Sequence, residues 1–415
     1  MVAGARITLE RARRDVAGHA SDGLTWPEFA EAVRGILARL VPHDGAVVAT
    51  IDPASGLLTS IVRSRIDNSA DELFMEIELT HQDPITLTTL AGQREGVGIL
   101  ADHLQGDPQS SPRVRDLLGP HFDLEHEMRA VARVGGRLLA GYGLYRAPQR
   151  PGFTADDAAA LTALEDVIAD GVRRSLAGSP VPRVDHDPGP GIVIVGRDGR
   201  VREATDAGRA RLGHLAGARG ARLGHLAGAR EARLPGPLRM IAQAARTQAA
   251  RTGRTVPRAA PFVRVRADDG RWFVVSAAPL REGPGAGRIA LSIEPANASQ
   301  SLELDLDIHG LTDRERDVVH EVLAGNGTGE IAANLGISPY TVQDHLKSIF
   351  RKVEVSSRRA LVAKLTRASL PRRVAHGPLP APNAGRESTP AGATPFRRDR
   401  GRDGGIRPPR RAART

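Results

Sequence analysis

The sequence predicts a multidomain protein: two α+β domains, a small all-α domain of four helices, and a disordered basic tail. Three observations lead there. The chain has 415 residues, a length that favours about three domains, each able to bury its own core. Strand-like alternation broken by glycine turns occurs in two separate blocks before residue 296, and helical spacing with capping residues takes over after residue 307. The net charge of +10 is unevenly placed. Pro371 to Thr415 holds 11 Arg against 3 acids, Leu311 to Leu370 holds 9 basic residues against 7 acids, and residues 1–310 sum to zero.

Residues 1–24 stand as an N-terminal extension, and residues 25–177 form the first α+β domain. WPEFAEAVRGILARLV has helical spacing and leads into strand-like AVVATID, a PASG turn and LLTSIVRS. MRAVARV and RLLAGYGLYR are joined by Gly135-Gly136, a two-residue hairpin turn whose positions both accept positive φ. Thr154 caps a closing helix over ADDAAALTALEDVIADGVRRSLA. Residues 178–190 are a linker. Residues 191–296 form the second domain: a hairpin turning at Asp198-Gly199, then FVRVRA, RWFVVSAAPL and GRIALSIEP as three further antiparallel strands.

An 11-residue unit is repeated in tandem at 210–231, ARLGHLAGARG followed by ARLGHLAGARE. On a helix His214 and His225 share a face but lie about 16 Å apart, too far for one metal ion. A tolerated duplication is the simpler account. The tail, residues 371–415, is rich in Arg, Pro and Gly and cannot bury a core.

Composition excludes several classes. There is no cysteine, so disulfides and thiolate metal sites are excluded and a reducing cytoplasm fits. The first 20 residues lack the apolar run of a signal peptide, and no stretch approaches the roughly 20 apolar residues of a membrane helix. No phosphate-binding glycine loop followed by Lys, no glycine elbow around a Ser, and no His-Glu-x-x-His is present. An enzyme is not expected, and neither a cofactor nor a metal site is implied.

Residues 307–370 carry the most specific signal. Thr312 followed by Glu315 is a capping box ahead of DRERDVVHEVL. EIAANL is followed by Gly336 as a turn, and Ser338 then caps a longer helix with Pro339 at its first position. A short helix, a tight glycine turn and a capped longer helix make a helix-turn-helix signature. In the longer helix Val342, Leu346, Ile349 and Val353 form one apolar stripe. Tyr340, Gln343, Asp344, Lys347 and Arg351 occupy another face, where major-groove base edges can be met. The basic residues are segregated: Leu311 to Asp344 holds 2 Arg and 6 acids, whereas His345 to Leu370 holds 7 basic residues and only Glu354. Asp344 can accept a hydrogen bond from cytosine, or it can pair with Lys347 three residues on. Lys352, Arg358 and Arg359 add cationic charge, and Thr341 stands where a phosphate contact is made by a hydroxyl or a helix N-terminus.

The stretch LTDRERDVVHEVLAGNGTGEIAANLGISPYTVQDHLKSIFRKVEVSSRRALVAKL resembles the LuxR-type helix-turn-helix domain over its whole length. The matching features are LTxRE, EIAxxLGIS, TVxxHL, the lysine two before Val-x-Val-x-S-R, and an apolar last helix. The resemblance implies a homodimer on double-stranded promoter DNA, the third helix in the major groove. It also implies dimerisation through the last helix, Ser357 to Thr366, with Leu361, Val362 and Leu365 as contacts. Three positions depart from the pattern. Gln343 replaces a frequent Lys. Gly327 replaces a capping Ser, with Thr328 available to take over and to join Ser338 at the DNA. Glu354 replaces the usual Gly and costs roughly 1–2 kcal/mol if its backbone is left-handed. The upstream domains resemble GAF-like (25–177) and PAS-like (191–296) sensory folds, on VPHDGAVVATIDPASG and RADDGRWFVVSAAPL among other stretches. These imply a cytoplasmic regulator with an unidentified small-molecule effector and RNA polymerase as further partners. The competing expectation is a scaffold or dimerisation protein that binds DNA without sensing a ligand. An apolar cavity of roughly 300 Å³ or more separates the two.

Overall fold

The computed structural model describes residues 7–80, 83–177, 189–216, 234–252, 260–267, 269–280 and 287–366. The second copy of the repeat with His225, most of the 178–190 linker and the 371–415 tail lie outside the described residues. The first domain begins with α1 (Leu9–Ser21) and α2 (Trp26–Leu40), which lead to strands β1 (Gly45–Ile51) and β2 (Leu58–Ser64). Then follow α3 (Asp71–Thr80), α4 (Leu87–Ala91), β3 (Val97–Ile99), a π-helical turn at Arg113–Leu118 continued by α5 (Gly119–Phe122), β4 (His126–Val134), β5 (Arg137–Arg146), α6 (Ala155–Thr162) and α7 (Glu165–Ala177). The second domain holds β6 (Gly191–Val195), β7 (Val201–Ala204), α8 (Asp206–Ala216), α9 (Gly236–Thr252), β8 (Phe262–Arg266), β9 (Trp272–Pro279) and β10 (Ile289–Pro295).

Both sheets are antiparallel and share one topology, β2-β1-β5-β4-β3 in the first and β7-β6-β10-β9-β8 in the second. The Gly135-Gly136 turn closes between Val134 and Arg137, with φ of 56° and 81° at the two glycines. Thr154 caps as expected, accepting from Asp157 N at 3.2 Å. The helix it starts is broken near Ala163, so one expected helix becomes α6 and α7. α1 is not an appendage. Ala12 and Val16 are fully buried in the first domain's helical layer, where α1 packs on α7. Its polar composition hides the fact that small apolar residues recur every four positions.

One face of the first sheet is covered by α1, α2, α6 and α7. The other face carries a core that continues into the second domain: Leu58, Met75 and Tyr145 belong to the same buried cluster as Leu238, Met240 and Ile241 of α9 and Phe273 and Leu291 of the second sheet. The two α+β domains therefore share apolar packing. Arg239 of α9 adds an ion pair to Asp71 of α3. The first copy of the repeat runs through the end of α8, where Arg211 and Leu212 are buried and His214 sits 3.3 Å from Asp269.

Beyond the second sheet comes α10 (Ala298–Ile308), capped by Asn297 and followed by α11 (Asp313–Leu323), α12 (Thr328–Leu335), α13 (Pro339–Val353) and α14 (Arg358–Thr366). α10 falls between the expected domain boundaries and serves two cores. Leu304 and Ile308 enter the first domain's core, while Leu306 enters that of the four following helices. No described helix is long and apolar enough to cross a membrane.

Candidate nucleic-acid interface

The four C-terminal helices are positioned by short-range chemistry. Thr312 Oγ1 accepts from Glu315 N at 3.3 Å, and Glu315 Oε2 accepts from Thr312 N at 2.7 Å, the reciprocal cap that starts α11. α12 starts behind Gly327, whose N–H donates to the Glu330 carboxylate. Thr328 is thus the first helical residue and not the cap. Gly336 ends α12 in a left-handed conformation (φ 65°), where glycine carries no Cβ penalty. Ser338 Oγ accepts from Thr341 N at 3.0 Å, and Pro339 opens α13.

The orientation of α13 follows from its stripe. Val342, Ile349 and Val353 are fully buried and Leu346 is 5% exposed, packed against Val318, Val319 and Ile331. Tyr340 is 74% exposed, and Gln343, Asp344, Lys347 and Arg351 are exposed with it. An aromatic ring left in water on a helix start is otherwise unfavourable and fits a face that meets a partner. Asp344 Oδ1 accepts from Lys347 Nζ at 3.2 Å, the i,i+3 pair, with both side chains more than half exposed. Such a pair contributes at most about 1 kcal/mol and opens easily. Gln343 Nε2 donates to Thr328 Oγ1 at 3.4 Å, and Thr341 is half-buried, its hydroxyl 2.8 Å from that of Ser338.

Other expected contacts are placed elsewhere. Lys352 is turned inward and only partly exposed. Its Nζ donates to Glu315 Oε2 at 2.7 Å and to the Gly310 carbonyl at 3.1 Å, because the buried Glu315 carboxylate is a better partner than water. Arg358 turns onto the Asn326 carbonyl. Leu361 and Leu365, expected at a dimer face, are buried in the domain's own core, and only Val362 of that trio keeps part of its surface. Lys364 Nζ donates to the Val353 carbonyl at the end of α13. Burial works to raise the Glu315 carboxyl, but Lys352, the Thr312 N–H and Ser348 outweigh it and bring its pKa down to about 2. Glu315 is thereby a clamp between α11 and α13. Only its capping role was visible in the sequence.

Glu354, next after α13, has φ 58° and ψ 51°. The left-handed backbone that the sequence raised as a condition is present, with its cost of roughly 1–2 kcal/mol for a residue with a Cβ.

Residues 309–365 match the family model described as bacterial regulatory proteins, luxR family. The C-terminal domain is a LuxR-family helix-turn-helix domain. The chain is 46% identical over 48 residues to the nitrate/nitrite response regulator protein NarP of Escherichia coli, covering 12% of this chain and 22% of the relative. It is 38% identical over 60 residues to the probable transcriptional regulatory protein NarL of Mycobacterium tuberculosis, covering 14% and 28%. The chain thus spans about a quarter of the length of these relatives. Among solved structures, Escherichia coli SdiA aligns at 11% identity and a TM-score of 0.32, over 87% of this chain and 98% of that one.

In the first domain a cleft lies between the sheet and α3, lined by Val47, Leu58, Ile61, Phe74, Leu118 and Tyr145 with Arg63, Asp71 and Arg113 among its polar groups. It encloses about 30 Å³, room for a water molecule or two. A small-molecule site needs roughly ten times as much. At its wall Arg113 is fully buried, within 3.3 Å of Glu78, Asp83 and Glu127.

Proposed function

We propose that the chain is a DNA-binding transcriptional regulator whose LuxR-type domain places α13 in the major groove, two copies acting as a homodimer on paired half-sites. The observation that carries this is the two-sided character of α13, with its apolar stripe buried and Tyr340, Gln343, Asp344, Lys347 and Arg351 facing water. Gln343 and Lys347 read base edges, Asp344 exchanges its Lys347 pair for a cytosine amine, and Arg351 and Arg359 meet phosphates. Thr328, Ser338 and Thr341 form the rim at the start of the helix. Dimerisation uses the exposed side of α14 around Val362. The work is done in the cytoplasm, at promoters, with RNA polymerase as the downstream partner, and it includes no catalytic step.

The N-terminal domains are GAF-like and PAS-like modules that bias this activity. The filled cleft of the first domain favours a variant of this reading in which they act through contacts with the DNA-binding domain, with no ligand captured in that cleft. The test is genomic footprinting of the tagged chain, followed by titration of a footprinted site. Lys347→Ala is expected to weaken specific binding about tenfold or more, from the 1–3 kcal/mol of one base contact. Lys364→Ala, which removes a group facing the Val353 carbonyl, is expected to weaken it far less. Equal losses for the two variants refute the orientation of α13.

A further inference from the structure

The face that α13 turns to water is not uniformly basic. From Ile337 to Leu346 there is no Lys or Arg, and the first cation beyond, Lys347, is paired with Asp344. The first two turns therefore offer DNA two large uncharged groups, the Tyr340 ring and the Gln343 amide, both exposed. Neither draws on phosphate charge as a cation does, so what they meet follows from shape and hydrogen-bonding capacity. They stand three residues apart on one helix face, with roughly 5–6 Å between Cβ atoms. At about 3.4 Å per base-pair step, that span covers one or two steps.

The Gln343 amide is not free to turn. Its Nε2 donates to Thr328 Oγ1, at the start of α12, over 3.4 Å. A glutamine amide has two N–H donors and one carbonyl acceptor, so the contact with Thr328 leaves one donor and one acceptor side by side. Adenine presents the complementary pair in the major groove, N7 as acceptor and the N6 amine as donor. Guanine presents two acceptors, N7 and O6, and an amide tethered in this way satisfies only one of them. The neighbouring side chain suits the same kind of base pair. Long side chains on a helix lean toward its N-terminus, so the Tyr340 ring covers the ground ahead of Gln343, and at 74% exposure it has an apolar face to give. The apolar feature of the major groove is the thymine 5-methyl group.

We propose that the first two turns of α13 read an A·T pair: Gln343, aimed by Thr328, takes the adenine edge, and the Tyr340 ring rests on a neighbouring thymine methyl. The inference rests on the regulator reading above and deepens it by assigning bases to the half-site. Thr328 acts through Gln343 and is a positioning residue, its hydroxyl disfavouring guanine by occupying the second donor of the amide. Tyr340 and Gln343 supply discrimination, while affinity comes from the cations further along, Arg351 and Arg359, which are both exposed.

Selection of random duplex DNA by the full chain gives the half-site, and base analogues placed in it give the test. At the A·T pair whose preference is lost in Gln343→Ala, 7-deazaadenine lacks the N7 acceptor. It is expected to weaken wild-type binding about fivefold or more, from the donor left unpaired, and to change nothing in Gln343→Ala. Guanine at that position is expected to be rejected by the wild type, better tolerated by Thr328→Val, which keeps the shape of threonine without its hydroxyl, and rejected again by Thr328→Ser. A threonine with a merely structural role moves affinity for all sites together and leaves this ratio alone. Deoxyuridine in place of thymine removes the methyl group and is expected to cost about fourfold, a penalty that Tyr340→Phe keeps and Tyr340→Ala abolishes. A loss in Tyr340→Phe that is equal with thymine and deoxyuridine assigns the hydroxyl to a phosphate and overturns the methyl contact. Equal 7-deazaadenine penalties in wild type and Gln343→Ala, or an unchanged adenine-to-guanine ratio in Thr328→Val, overturn the reading of adenine. So does a selected sequence with no A·T pair that depends on Gln343. Selection that returns no preferred sequence is a different failure, because the regulator reading then falls and this inference falls with it.

Discussion

Glu315→Gln isolates the charge of the clamp between α11 and α13. Glutamine keeps an oxygen for the Thr312 N–H, and its amide nitrogen takes the place of the other carboxylate oxygen and donates to the Ser348 hydroxyl, so the helix cap survives and the ionic contact with Lys352 is lost. The Glu315 carboxyl is held down from 4.5 to about 2, and at about 1.4 kcal/mol per pKa unit that sets a ceiling near 3 kcal/mol. Lys352 is a quarter exposed, so water screens the pair and the expected loss is about 1–2 kcal/mol. The sign with pH follows from the direction of the shift. A carboxyl depressed in the folded state contributes fully above its ordinary pKa, and the contribution fades as pH falls toward about 2. The gap between wild type and variant is therefore full at pH 7 and reduced by more than half at pH 3. Amide exchange of α11 and α13, corrected for intrinsic rates at each pH, reads this locally. A gap that is absent at pH 7, or that holds its size or widens on acidification, refutes the clamp.

Two further outcomes follow from burial and space. Burial pushes Asp305 up to about 6, against a smaller pull from Lys364, while burial holds His309 down to about 4. The raised acid stabilises below its ordinary pKa and loses that contribution as pH rises to about 6. The depressed histidine does the opposite, stabilising above its ordinary pKa and losing that as pH falls to about 4. The two nearly cancel in the wild type, so Asp305→Asn should steepen the acid loss of stability between pH 6.5 and 4, by about 1–2 kcal/mol, in urea unfolding. An unchanged slope contradicts this. Glycine substitutions in helices should split by sign. A Cβ at Gly171 meets the buried Phe29 ring at 2.0 Å, and Gly171→Ala should cost about 2 kcal/mol through overpacking. Gly18, exposed in α1 with nothing within 4 Å, should gain up to about 1 kcal/mol as Ala. Gains at both positions in thermal unfolding would contradict the Gly171 packing.

What the sequence makes legible here is local. The capping pair Thr312/Glu315, the Ser338-Pro339 start, the stripe of α13 and the Gly135-Gly136 turn each need only a few neighbouring residues, and each is present as expected. The same chemistry gives all five strands of the second sheet and four of the first; the fifth, β3, is only three residues long and carries too little alternation to be read from the sequence. α1 is less legible because its buried positions are two alanines and a valine among charges, so burial comes from α7 lying over it and not from its own hydrophobicity. Lys347 and Lys352 are indistinguishable as residue types. Only the position of Glu315, on a helix more than 30 residues away, decides that one faces water and the other turns in. Glu354 shows the boundary most clearly. Its strain is visible as a residue out of place, while the two arginines that hold it are about 180 residues distant in sequence.

The choice of contacts at the domain seams is itself informative. Between the two α+β domains the seam is apolar, with Leu238, Met240 and Ile241 of α9 continuing the core of the first sheet; separating them exposes a greasy face, so that pair stays together. The seam with the LuxR-type domain is built largely from carboxylates, arginines and glycine backbone. Ion pairs that leave water gain little net stability, because desolvation offsets most of their attraction. Here they are Glu354 with Arg173 and Arg174 of α7, and Asp307 of α10 with Arg264 of β8 and Arg316 of α11, all groups that water also solvates well. α10 is where the two regimes meet. Leu304 and Ile308 commit it to the first core and Leu306 to the helical one, with Asp307 between them. A helical domain that swings away must carry α10 or leave it behind, and in either case it breaks the Asp307 bridge. That seam is weak in net energy and strained at Glu354, whereas the apolar seam beside it exposes hydrocarbon when it parts.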